Sequence, residues 1–444
     1  MASDHRRIAS AALRVALFLL LGKVAGAAKE MVVAWRYGVS DVVDAYQYTF
    51  TLTTWLPVTL VGVLSIVLIP VLVRLRKQAD HGVGRFLSQL NAAVLVAGVV
   101  LGGATYLCWP WVVQLFGQGL TPAVRAMSTE LVAAFAPVAM LTVWAGVSAA
   151  RLRARERHVN TLLDGVPAVF ILAWVAAAPV EPGVGPLFWG TLVGTLVQAV
   201  WLQWLAARAD GCWGRPQWAF SAPEWPMLMQ AVGIMAIGQV AMSFVAPLDQ
   251  VQAAALGQNA NAALGYANRL LGLVLGLGAV SVGRAALPVL ADVIAHGDPK
   301  RARRMAIQWS AGMVLAGTVL VGIGWLLAPW GVALVFERGA FTADDTLRVA
   351  HAFRWGLLQL PFYFGVLVLV QLLAGQHRYG VMTVIALANF GIKALLNPPL
   401  AAAMGLSGIL LATSLMYALS YGCYLVAALR PVHGDVHRNS RKLQ

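Results

Sequence analysis

The feature that most constrains this chain is a succession of apolar runs, about 18 residues or longer, without the period-two alternation of a barrel strand. Lipid offers a backbone no hydrogen-bonding partner, so such runs cross a membrane as helices, which satisfy their own N–H and C=O groups. A hydrocarbon core of about 30 Å takes roughly 20 residues of helix. Windows bounded by charge or by Pro and Gly fall at 9–36, 44–73, 86–110, 124–150, 159–179, 186–207, 225–248, 262–290, 304–328, 347–373, 380–400 and 405–429. They predict an all-α polytopic membrane protein of about twelve transmembrane helices. Composition agrees: 11% of residues are charged, against about 25% in a soluble domain. Arg14, Lys23, Lys29 and Glu30 interrupt the first window and no small-residue cleavage site follows it. It is therefore read as a retained helix, not a signal peptide.

The net charge of +14 would suggest nucleic acid in a soluble protein. Here topology accounts for it. An even number of spans puts both termini on one side, and the segments on that side hold 21 Lys and Arg, including the run RLRARER (151–157). The opposite side holds Arg36, Arg125, Arg338 and Arg348. The positive-inside rule makes the rich side, and both termini, cytoplasmic. No nucleic-acid partner is expected. Cys108, Cys212 and Cys423 lie far apart, with no spacing suited to zinc or a disulfide framework. No metal and no cofactor is expected.

Internal repetition is visible. IPVL (69–72) recurs as LPVL (287–290) at an offset of 218, which also carries Tyr48 onto Tyr266, Asp80 onto Asp298 and Arg85 onto Arg303. LFGQG (115–119) matches VFERG (335–339) at an offset of 220. Two pseudo-symmetric six-helix lobes are expected, related by an axis along the membrane normal. The N-terminal lobe covers 1–207, a cytoplasmic linker 208–224, the C-terminal lobe 225–430 and a basic cytoplasmic tail 431–444.

A charge inside a span costs from about 2.5 kcal/mol upward, so each needs a partner, water or a ligand. In GKVAGAAKE (22–30), Lys23 and Glu30 return to one helix face about 10 Å apart, and Lys29 lies about 100° round from Glu30. All three can edge one cavity; the alternative for Lys29 and Glu30 is an ion pair near the outer interface. Arg269, beside Tyr266 and Asn268, is a second-lobe counterpart, with a bridge to Asp249 as its alternative. Arg284 and Arg354 lie nearer helix ends and read as structural. Asn389 and Lys393 share a helix face as a candidate ion-pair or cation site, where the lysine either neutralises Asp249 or stabilises helix packing. Cations facing one another between two lobes make a central pocket for an anion. Asp44, Asp249 and Glu30 are the acids available to titrate or bind an ion.

These residues carry a resemblance. GKVAGAAKE (22–30), YGVSDVVDAY (37–46), YANRL (266–270), ALPVL (286–290) and, most specifically, FERGAFTADDT (336–346) resemble motifs of the MviN/MurJ family of lipid II flippases. That family lies in the superfamily of polysaccharide-lipid flippases and MATE exporters. The resemblance implies an inverted-V bundle and alternating access through a cationic cavity. It places Lys23, Lys29 and Arg269 at basic cavity positions, Glu30 and Asp44 at acidic ones, and Glu337, Arg338 and Gly339 in the family motif. There are departures. The family's basic residues early in helix 2, and its Glu before the Gly at 62, are absent from TWLPVTLVG (54–62). Lys stands at 23 and 29 where Arg is usual, and twelve spans are read where the family has fourteen.

The implied function is a flippase, not an enzyme, taking an undecaprenyl-pyrophosphate-linked saccharide from the inner to the outer leaflet of the bacterial cytoplasmic membrane. Lipid II, for peptidoglycan biosynthesis, is the family default, and an exopolysaccharide or O-antigen repeat unit is the alternative. Membrane lipids are partners, and H+, Na+ or the membrane potential is the driving force. A cation-coupled drug exporter, or a non-transporting scaffold in an envelope-biosynthesis complex, are further alternatives. A catalytic reading finds no nucleophile elbow, P-loop or ligand-spaced His/Cys/Asp cluster.

Overall fold

The computed structural model describes residues 2–77, 82–155, 160–179, 183–295, 299–376 and 378–430. The basic tail 431–444, Arg157 and the Asp80–Asp298 match lie outside the described residues, as does the side chain of Arg284. Among the described residues the regular elements are fifteen α-helices: α1 (Ala2–Tyr37), α2 (Asp41–Lys77), α3 (Gly82–Phe116), α4 (Pro122–Arg153), α5 (Asn160–Leu163), α6 (Val166–Ala177), α7 (Gly185–Asp210), α8 (Trp225–Ser243), α9 (Val245–Leu256), α10 (Ala260–Ala295), α11 (Pro299–Phe336), α12 (Ala343–Leu357), α13 (Leu360–Gly375), α14 (Tyr379–Met404) and α15 (Leu406–Leu429). The twelve apolar windows correspond to these fifteen because the fifth, seventh and tenth are each divided between two helices. Among the described residues, seven helices are long and apolar enough to cross a membrane alone, and nine when two bent pairs count as single spans.

Local chemistry sets the breaks. Pro stands in the first turn of α4, α6, α7, α8 and α13, where its missing N–H costs nothing and its φ suits a helix start. α4 adds a side-chain cap: Thr121 Oγ1 accepts from Val124 N at 3.2 Å. Between α12 and α13 the axis turns by 40° ahead of Pro361. The seventh window runs on past its expected end at 248: α9 continues to Leu256 and buries Asp249 at 7% exposure.

Contacts divide the chain into two compact units, Met1–Tyr266 with Trp330–Val349, and Ala267–Pro329 with Ala350–Gln444. In the first, Leu68, Leu72, Phe86, Leu87, Val143 and Val147 form a core among α2, α3 and α4. In the second, Ala302, Ala306, Leu369, Leu372, Ile385 and Tyr424 join α11, α13, α14 and α15.

The segment expected as a linker is helical to Asp210 and then non-helical to Glu224, and it is pinned to α3. Asn91 Nδ2 donates to Gly214 O at 2.7 Å, and Gln217 N to Ser88 O at 3.1 Å. Gln89 Oε1 accepts from Ala222 N at 3.1 Å and from Trp225 Nε1 at 2.9 Å. These bonds satisfy backbone groups that a connection without regular structure leaves open.

Candidate functional site

The charges of α1 divide by environment. Lys23 is exposed, whereas Lys29 and Glu30 are buried at 8% and 6%. Lys29 Nζ lies 2.5 Å from Glu30 Oε1, so these neighbours form a compact ion pair. Stripping two ions of water costs several kcal/mol each, which their attraction offsets only when both remain charged and close. α1 thus presents a buried ion pair two turns from an exposed cation.

Past this helix the chain turns at Gly38 (φ +58°), and the corner receives the turn at the end of α11. Ala340 N donates to Trp35 O at 2.9 Å. A Cβ on Gly38 would strike Ala340 O, and one on Gly339 (φ +59°) would strike Trp35 O. Both positions need glycine for backbone-to-backbone approach and for a left-handed conformation. Tyr266 seals the joint, buried between Phe336 and Phe341 at ring distances of 5.0 and 5.2 Å, with its hydroxyl donating to Gly38 O at 2.9 Å. Glu337 Oε2 accepts from Thr346 Oγ1 at 2.7 Å, and Arg338 Nη2 donates to Leu334 O at 2.6 Å. Thr342 and Asp345 close a reciprocal cap at the start of α12, through Thr342 N to Asp345 Oδ2 at 2.9 Å and Asp345 N to Thr342 Oγ1 at 3.3 Å. The Glu337–Arg338–Gly339 motif is therefore a structural clasp.

A second clasp occupies the repeat-related positions. The turn after α3 sits on the corner between α9 and α10, where a Cβ on Gly119 would strike Ala254 O and one on Gly257 (φ +63°) would lie 3.1 Å from Gly119 O. Arg125 stiffens that turn by donating to Gly117 O at 3.1 Å and Gln118 O at 2.7 Å. Asp44, buried at 2%, is placed at this corner: its Oδ1 accepts from Ala262 N at 3.0 Å. The carboxylate thus meets the positive end of α10 and one of its orphan donors. Each clasp joins a turn from one half of the sequence to a helix corner of the other.

Arg269 lies half-buried on α10 in the second unit. There Lys393 is fully buried, and its Nζ donates to Ile409 O at 2.7 Å, Thr413 Oγ1 at 2.7 Å and Asn397 Oδ1 at 3.4 Å. Asn389, two turns before Asn397, donates to Ser420 Oγ at 2.9 Å. Arg354 Nε donates to Trp325 O at 2.8 Å.

One charged cluster escapes the sequence reading. Asp210, 1% exposed at its side chain, takes Arg76 Nη2 at 2.7 Å, Arg151 Nε at 2.9 Å and Arg155 Nε at 2.7 Å. Arg151, fully buried, also donates to Gln203 Oε1 at 3.0 Å. Two of these arginines belong to RLRARER, expected there only as solvated cytoplasmic anchors. The available signal was a lone acid closing an apolar window beside several basic runs.

The family model for the lipid II flippase MurJ matches residues 33–440. A curated relative from Synechocystis, named as a probable lipid II flippase MurJ, is 26% identical over 434 residues, covering 92% of this chain and 79% of its own. A solved structure of the lipid II flippase MurJ in an inward closed conformation aligns with TM-score 0.82 at 18% identity, over 94% of this chain and 88% of that one. An inward-facing multidrug-resistance MATE transporter of the MOP superfamily aligns with TM-score 0.74 at 12% identity, over 92% and 93%. The two structures speak for the shared all-helical fold, and the family model for descent. On that match, the chain belongs to the lipid II flippase MurJ family of multi-pass membrane proteins.

Proposed function

We propose that this protein is a flippase carrying an undecaprenyl-pyrophosphate-linked saccharide, lipid II by family default, from the inner to the outer leaflet of the bacterial cytoplasmic membrane. The observation that carries the reading is α1, which holds an exposed Lys23 two turns before a buried Lys29–Glu30 pair. A cation in that setting requires water or an anionic ligand. The pyrophosphate supplies the charge, the sugar travels in the wet cavity and the isoprenoid tail stays in lipid.

In this reading Lys23, Lys29 and Arg269 bind the diphosphate between two six-helix lobes, 1–207 and 225–430, joined at 208–224, with both termini cytoplasmic. The reciprocal clasps lie at the ends of the spans opposite to the basic runs, the side expected to face out. Glu30 and Asp249 are the proposed H+- or Na+-responsive groups, with Asp44 acting through the α9–α10 corner, and the membrane potential contributes to the driving force. Lys at 23 and 29 gives point charge without the bidentate fork of Arg, which favours an exopolysaccharide or O-antigen unit as the second reading.

The test is complementation of a MurJ-depleted bacterium by wild type, Lys23→Ala, Lys29→Ala and Arg269→Ala, with membrane abundance measured for each. Rescue by wild type and loss in the three variants is expected. Well-expressed wild type that fails to rescue would overturn lipid II as substrate, and export of polysaccharide in a deletion of the native gene would then decide the second reading.

A further inference from the structure

We infer that the ammonium of Lys393 is a tethered cation filling an oxygen-lined cation site between α14 and α15, so that no diffusible Na+ is needed there. The inference deepens the proposed function by removing one candidate coupling ion from this place.

The site has the donor set of a hard cation. Ile409 contributes a main-chain carbonyl, Thr413 a hydroxyl and Asn397 an amide oxygen, at 2.7, 2.7 and 3.4 Å from Nζ. Carbonyl and hydroxyl oxygens are the ligands such ions prefer. An ammonium has three donors and no acceptor, and it can spend them only on oxygens of this kind. The surroundings are dry: Lys393 and Asn397 are both at 0% exposure, and Asn389 is at 4%. Asn389, Lys393 and Asn397 recur every four residues and so form one polar seam along α14, which meets Thr413 and Ser420 of α15. A helix pair that needed only packing would use apolar residues here, because an ion is costly to bury and a Leu or Met is not. What the seam gains is a positive charge at one fixed point between two helices, delivered by the chain.

If the charge, and not the lysine stem, is what the site requires, a small free cation should replace it. Lys393→Ala leaves room at the three oxygens, whereas Lys393→Met fills the same space without charge. Thermal unfolding of the full-length protein in detergent would be followed in choline chloride, sodium chloride and methylammonium chloride at equal ionic strength. Wild type should show the same midpoint in all three. Lys393→Ala should unfold several degrees lower in choline and recover at least half of that loss in methylammonium or sodium, while Lys393→Met stays low throughout. The inference is overturned if wild type is itself stabilised by sodium over choline, if no small cation raises the midpoint of Lys393→Ala, or if Lys393→Met equals wild type. Because the readout is stability, these outcomes stand apart from any failure to move lipid II, which would count against the proposed function alone.

Discussion

The two clasps occupy repeat-related positions and are built differently. At the α1–α2 corner, two left-handed glycines, Gly38 and Gly339, bring backbones together, Ala340 N donates to Trp35 O and the Tyr266 hydroxyl closes the joint on Gly38 O. At the α9–α10 corner the equivalent Tyr48 is equally buried, packed on Trp109 at 6.1 Å, but its hydroxyl has no hydrogen-bond partner among the described residues. That corner is held instead from the side, by Asp44 on Ala262 N and by Arg348 donating to Gln258 O. The two corners share the close glycine approach and carry their polar ties at different points.

The largest effect should come from the first corner's glycines. Gly339→Ala adds both a clash with Trp35 O and a strained φ, and should lower stability by about 3 kcal/mol or prevent folding. Gly119→Ala adds a clash without the left-handed φ and should cost less; equal losses in thermal unfolding would erase the distinction. Asp44→Ala removes the acceptor for the α10 start and should cost about 1–2 kcal/mol, with Asp44→Asn recovering part of it. Tyr266→Phe deletes a buried hydrogen bond worth about 1 kcal/mol, whereas Tyr48→Phe removes a hydroxyl with no partner and should be neutral or slightly stabilising. A destabilised Tyr48→Phe would mean the second corner hides a polar tie. Smallest of all, Arg348→Ala should change the midpoint by no more than about 0.5 kcal/mol, since the bond it makes is exposed.

Much of this architecture is legible in the sequence, and the limits have physical causes. Continuous apolar runs announce membrane helices because lipid leaves the backbone no alternative, and prolines at 167 and 361 mark helix starts that divide two windows. The seventh window ends eight residues short of α9 because the polar run after Leu248 carries no apolar signal, while burial of Asp249 depends on tertiary packing. The matching VFERG and LFGQG turns were visible as repeats, but their docking on Trp35 and Ala254 is a contact across the chain that no local pattern encodes. RLRARER was legible as charge and not as structure: whether an arginine is solvated or buried against Asp210 depends on where α7 ends beside α4. Lys29 and Glu30 could be paired from adjacency alone, whereas the three oxygens around Lys393 come from residues as far apart as Asn397 and Thr413.

The most direct test of lipid-linked transport through the α1 cations is reconstitution into vesicles carrying a fluorescent lipid II, with the rate at which an impermeant quencher gains access to the inner-leaflet pool measured for wild type and for Lys23→Ala/Lys29→Ala. Wild type should equilibrate the leaflets well above protein-free vesicles, and the double variant should fall at least about tenfold, as expected for loss of charge-assisted contacts with a diphosphate. Wild type no faster than empty vesicles, or a double variant as fast as wild type, would contradict the proposal.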